Sequence, residues 1–148
     1  MIKEKNLKPL LAIPMVVHLR KVLLPLGDKT DVHEIVAALS QLEGEVELVL
    51  FHVIKMPITT PLEVEVKAPK WLNEIAERLR ERGMAVKVIV AEARDVADAI
   101  VEEAEEGKYD LILMFKRKRK GLKHVLTRSI SGRVAKATKR PVMTILKE

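Results

Sequence analysis

AVKVIVAEARDVADAIVEEAEEGKYDLILMF, residues 85–115, decides the fold. Ala85–Ala91 is rich in Val and Ile and too apolar to face water, as a strand buried on both faces must be. Asp95 then offers a side-chain acceptor for a helix N-terminus. Val96, Ile100 and Ala104 recur at helical spacing, and Gly107 supplies the stop. Asp110–Phe115 is a second apolar strand. A strand, a capped helix and a strand of these lengths predict two parallel strands joined by a right-handed crossover.

The same alternation extends both ways. Residues 20–26, RKVLLPL, read as a strand ended by Gly27 and Asp28. Asp31 with Glu34 forms a capping-box pattern, and Ile35, Val36, Leu39 and Leu42 line a helix that stops near Gly44. Val46–Ile54 is the next strand. Pro57, Pro61 and Pro69 mark residues 55–69 as a connection, with room for an edge segment at Leu62, Val64 and Val66. From Lys70, a helix buries Leu72, Ile75, Ala76 and Leu79 and stops at Gly83. Beyond residue 115, Ser129 caps a helix carrying Ile130, Val134 and Ala137, whose basic end (Lys136, Lys139, Arg140) suits the helix dipole. Pro141 opens a last strand, VMTIL. The pattern predicts an α/β domain: a doubly wound, Rossmann-like, five-stranded parallel sheet with helices on both faces. Ligands of such sheets bind beyond the strand C-terminal ends at a topological switch point, so the loops to search are 25–30, 52–56, 91–95 and 115–129.

A chain of 148 residues suits one domain of this kind, expected over 20–148. The absence of cysteine excludes disulfides, thiolate metal sites and a Cys nucleophile. Asn6, Asn73 and Gln41 are the only side-chain amides beside abundant Glu, Lys and Arg, a bias towards a thermophile. Residues 1–19 form an N-terminal arm. Its apolar run Leu10–Val17 is far short of the roughly 20 residues that span a bilayer, Pro14 interrupts it, and no cleavage pattern follows. The expectation is an arm packed on the domain or on a partner, no membrane insertion, and a cytoplasmic protein.

The net charge of +6 is concentrated in one place. Lys116, Arg117, Lys118, Arg119, Lys120, Lys123 and Arg128 are basic with no acidic residue among them, while the rest of the chain nearly balances. Such a segment suits a phosphate or a polyanion, nucleic-acid backbones included. It equally suits a solvated flap, and it lacks the aromatic residues that stack on bases.

Taken together, KVLLPL (21–26), LVLFHVI (48–54), YDLILM (109–114), SIS (129–131) and KRPVMTIL (139–146) resemble the universal stress protein family from about Arg20 onward. The resemblance implies a site for ATP built on a Gly-x2-Gly-x9-Gly-Ser/Thr loop after the fourth strand. Glycines there let backbone N–H groups approach the phosphates, and hydroxyls open the following helix. In this chain the glycine positions fall on Phe115, Lys118 and Arg128, and only Ser129 and Ser131 keep the hydroxyls. The family's nucleoside-contacting Asp falls on Gly27, with Asp28 one residue late. Val53 and Met114 are the remaining family-like ligand positions, each equally at home in the core. The resemblance therefore implies a degenerate member in which ATP is disfavoured as a cofactor, and a homodimer paired through the last strand.

Simpler readings compete at each position. Ser129 is explained as a helix cap alone, and Asp31 likewise. His18, His33, His52 and His124 show no metal-ligand spacing. With no Ser-His-Asp order, no paired carboxylates and no G-x-G-x-x-G, no constellation supports an enzyme. The expected function is a non-enzymatic stress-response or regulatory domain, with another protein as its partner. The alternatives are a polyanion- or nucleic-acid-binding module using residues 116–128, and nucleotide binding in an altered pose.

Overall fold

The computed structural model describes residues 20–42, 44–57, 67–117 and 129–147. Its elements alternate throughout: β1 (Lys21–Pro25), α1 (Val32–Leu39), β2 (Glu47–Lys55), α2 (Lys70–Glu81), β3 (Ala85–Ala93), α3 (Val96–Glu106), β4 (Leu111–Arg117), α4 (Ile130–Ala137) and β5 (Val142–Lys147). All neighbouring strands are parallel, in the order β3-β2-β1-β4-β5. This is the doubly wound arrangement expected.

The twofold alternation of strand side chains sorts the core into two layers. Val22, Leu24, Leu48, Leu50, Leu111 and Leu113 pack under α1 and α2. Leu23, Val49, Phe51, Ile112 and Met114 pack under α3 and α4. Val22, Leu23 and Leu24 are fully buried at the sheet centre, where each burial contributes about 1.5–3 kcal/mol. At the foot of the sheet, one carboxylate oxygen of Asp110 accepts from the backbone N–H groups of Arg20 and Lys21, both at 2.9 Å.

Pro25 shapes the opposite end. Alternate residues of a parallel strand bond to alternate neighbours. Leu26 N–H donates to the Phe51 carbonyl of β2 at 2.9 Å, so Pro25 is turned towards β4. Without an N–H it cannot continue that ladder. Among the described residues, β1 and β4 register only at Val22↔Leu111 and Leu23↔Ile112. The two strands part above that point, where the winding reverses.

Several boundaries differ from the sequence pattern. Helix α1 ends at Leu39 rather than near Gly44, because Ser40 turns its hydroxyl onto the Ala37 carbonyl at 2.7 Å. Leu42 reaches the core from the following turn. Asp31 caps α1 by accepting from His33 N–H at 2.8 Å, one residue short of the capping-box geometry. In α4, Val134 is buried but Ile130 is 43% exposed and Ala137 is exposed. The inward position one turn earlier belongs to Ser131, which is buried. Strand β4 runs to Arg117, so Lys116 and Arg117 belong to the sheet rather than to the loop. The N-terminal arm and the edge segment at Leu62–Val66 lie outside the described residues.

Candidate functional site at the strand ends

The crevice opened by Pro25 lies between the loop after β1 and the end of β4. On its first side, Gly27, Asp28 and Lys29 are exposed, while Thr30 is buried and its hydroxyl donates to the Asp28 carbonyl at 3.4 Å. Gly27 has open space where a Cβ would stand and no positive φ, so its backbone does not require glycine.

On the second side, β4 stays extended through Phe115 and beyond, pairing Phe115↔Ile145, Lys116↔Leu146 and Arg117↔Lys147. Alternation sends the Phe115 ring to the α1–α2 face, where it packs against the core. It therefore does not occupy the α4 side of the crevice. Met114, 5% exposed, and half-buried Val53 lie on the α3–α4 face as part of the core.

Lys116, next along β4, reaches the start of α4. Its Nζ donates to Ser129 Oγ at 3.2 Å. Ser129 also accepts from Gly132 N–H at 3.0 Å, which makes it the N-cap of α4. Ser131 Oγ lies 3.2 Å from Ser129 Oγ. An ammonium and two hydroxyls thus converge on a helix N-terminus. The arrangement favours an anion, because the helix dipole and the lysine carry the same sign there.

Arg133, in the first turn of α4, was not among the residues singled out by pattern. Its Nη2 donates to both carboxylate oxygens of Asp95 at 2.9 Å and lies 3.9 Å from Asp98. Asp95 also caps α3 by accepting from Asp98 N–H at 2.9 Å. That backbone hydrogen bond, and then Arg133, hold its carboxyl below the usual range. A basic residue in a first turn runs against the helix dipole, and nothing in the sequence marks Asp95, 38 residues earlier, as its partner.

Of the polyanion candidates, Lys116 is in place as described and Arg117 is paired in β4. Lys118, Arg119, Lys120, Lys123 and Arg128 lie outside the described residues. Among the described residues there is no cluster of metal-ligating side chains, and no helix is long and apolar enough to cross a membrane.

A cation-bearing crevice at the switch point of a β3-β2-β1-β4-β5 sheet can be set beside known proteins. The sequence pattern described as the Universal stress protein family matches residues 18–145. This chain belongs to the universal stress protein family. No curated protein matches it. Solved structures share the fold. A universal stress protein from Archaeoglobus fulgidus superposes with a TM-score of 0.65 at 21% identity, covering 85% of this chain and 98% of its own. The Archaeoglobus fulgidus protein in complex with dAMP gives 0.61 at 19% identity, covering 88% and 99%. An Arabidopsis thaliana universal stress protein family member with AMP bound gives 0.58 at 16% identity, covering 87% and 92%. This universal stress protein therefore shares an architecture with nucleotide-bound relatives.

Proposed function

We propose that this universal stress protein is a non-enzymatic, cytoplasmic stress-response or regulatory domain that does not hold ATP through a glycine loop. The observation that carries the reading is the contact of Lys116 with Ser129. Where the family pattern brings glycine backbone to the phosphates, this chain keeps β4 extended and sets an ammonium on the capping serine. The partner in this reading is another protein. A homodimer through β5 fits the open edge of that strand, where Leu146 is 62% exposed.

The same contact favours a second reading, a nucleotide in an altered pose. Lys116, Ser129 and Ser131 would meet a phosphate with a cation and two hydroxyls in place of glycine N–H groups. A polyanion such as DNA is the third reading, drawn from the basic run.

Melting with Mg-ATP, AMP or a short DNA duplex, at low and moderate salt, separates the three. A ligand at 100 times its Kd stabilises by about 2.7 kcal/mol. That is a shift of roughly 5–11 °C for a domain of this size. No shift with any ligand is expected of the first reading. A nucleotide shift lost in Lys116→Met replaces it with the second. A salt-sensitive shift with DNA alone replaces it with the third.

A further inference from the structure

Across the sheet from Ser129, the loop entering α1, its first turn and the Trp71–Arg78 face of α2 leave a cleft of about 520 Å³. Small-molecule sites occupy roughly 300–1,000 Å³. The floor is apolar, formed by buried Ile75 and Val32. One wall is the indole of Trp71, the only tryptophan in the chain. The indole meets His52 edge-on with ring centroids 5.3 Å apart, and His52 Nδ1 lies 2.8 Å from the Leu26 carbonyl. The ring of His52 on β2, itself tied to the Leu26 carbonyl, therefore packs against the indole and helps to order it before a ligand arrives.

Three of the charged side chains around the mouth are uncommitted. Asp31 is occupied in capping α1, and His33 lies 3.5 Å from Arg82. Among the described residues, the side chains of Lys29, Glu74 and Arg78 have no hydrogen-bond or ion-pair partner. Glu74 and Arg78 stand four residues apart on α2, a spacing at which opposite charges ordinarily pair. Their neighbours Glu77 and Arg80 do pair, at 3.5 Å. Counting Asp31, the mouth carries two cations and two carboxylates, and Lys29 and Arg78 are the cations whose side chains are left to meet an anion.

We propose that this cleft binds a small organic anion with a flat, apolar body. Trp71 packs against the body, Ile75 and Val32 lie beneath it, and Arg78 and Lys29 meet the anionic group. The cleft shares Lys29 and Thr30 with the loop that flanks the β1–β4 crevice, but it opens between α1 and α2, on the face away from Lys116 and Ser129, and it stands whether or not that crevice holds a nucleotide.

Because Trp71 is the only tryptophan, its fluorescence reports on the cleft directly. The full chain is titrated with phenyl phosphate, with inorganic phosphate and benzyl alcohol as the separate halves. Phenyl phosphate is expected to change the emission saturably, with each half at least about tenfold weaker. Arg78→Glu and Lys29→Glu, both at exposed positions, are each expected to weaken it by about tenfold, the loss of one charge-assisted contact. Ser129→Ala and Lys116→Met are expected to leave it unchanged. The proposal is overturned by the absence of a saturable change with phenyl phosphate, or by an equal response to benzyl alcohol. It is also overturned by unaltered binding in both charge-reversal variants, or by loss of the signal in Ser129→Ala.

Discussion

Arg133 Nη2 lies 2.9 Å from each carboxylate oxygen of Asp95, so one side chain bolts the first turn of α4 to the cap of α3. At the far end of the same pair, Glu105 accepts from the Thr138 hydroxyl at 2.7 Å and Lys139 N–H at 2.8 Å. The two helices are held at both ends by residues more than thirty positions apart in sequence. They form one layer over the sheet.

Asp95→Ala is expected to cost about 1–2 kcal/mol, mostly through loss of the α3 cap. Asp95→Asn keeps an acceptor and is expected to cost much less, because the ion pair is 45% and 37% exposed and screened by water. The carboxyl is held below its ordinary value of 3.8 in the folded state. Its stabilisation is therefore complete above pH 3.8 and lost as pH falls through the lower folded value. Acid denaturation of Asp95→Asn, compared with the parent, should show the smaller slope in that window.

Tyr109, the only tyrosine, is buried, donates to Glu103 at 2.7 Å and lies under the Lys21 ammonium. Burial pushes its phenol well above the ordinary value of 10.0, and the bond to Glu103 adds to the rise. The unfolded chain then ionises first, so this contribution is complete below pH 10 and declines above it. Tyr109→Phe should cost about 1 kcal/mol at neutral pH and flatten the alkaline loss of stability, read by urea melts between neutral and alkaline pH.

Gly107 closes α3 beside that ring. A Cβ there would meet Tyr109 Cε1 and stand 3.0 Å from the Glu103 carbonyl oxygen, and neither neighbour is free to yield. Gly107→Ala is expected to lose about 1–3 kcal/mol. The next residue, Lys108, has a φ of 52°, a strained choice for a side chain. Lys108→Gly should therefore gain up to about 1 kcal/mol, and thermal melts of the two variants should move in opposite directions.

Leu146 is expected to matter for assembly and not for folding, since it is 62% exposed on the edge strand. Leu146→Lys should convert a homodimer to a monomer in light scattering with a melting temperature, measured at high dilution, within a degree or two of the parent. A parent that is already monomeric at micromolar concentration refutes the β5 dimer.

The architecture was legible because its signals are local. Strands such as Leu48–Phe51 are uniformly apolar, and Asp95, Ser129 and Gly107 mark helix ends within a few residues of what they cap. The site was legible only in part. Ser129 stands where its position before α4 suggested, but its contact with Lys116 depends on β4 remaining extended for two residues beyond the apolar run. The Asp95–Arg133 pair joins residues 38 apart. The cleft at Trp71 combines two helices and a strand-borne histidine. Neither leaves a periodic trace, because both are products of packing across elements. The face taken by Phe115 was decided by alternation along β4, which shows only once the strand's true end is known.

Asp110 fixes the chain where it enters β1, at the pole of the sheet opposite Gly27 and Ser129. The five residues of β1 rise about 3.3 Å each, which separates the two poles by roughly 17 Å. Arg20 thus enters the sheet at the pole away from Gly27 and Ser129. An anchor placed at Arg20 would leave the strand ends, with Gly27, Lys116 and Ser129, facing solution. A sensor surface loaded this way would present every molecule in the same orientation to its ligand.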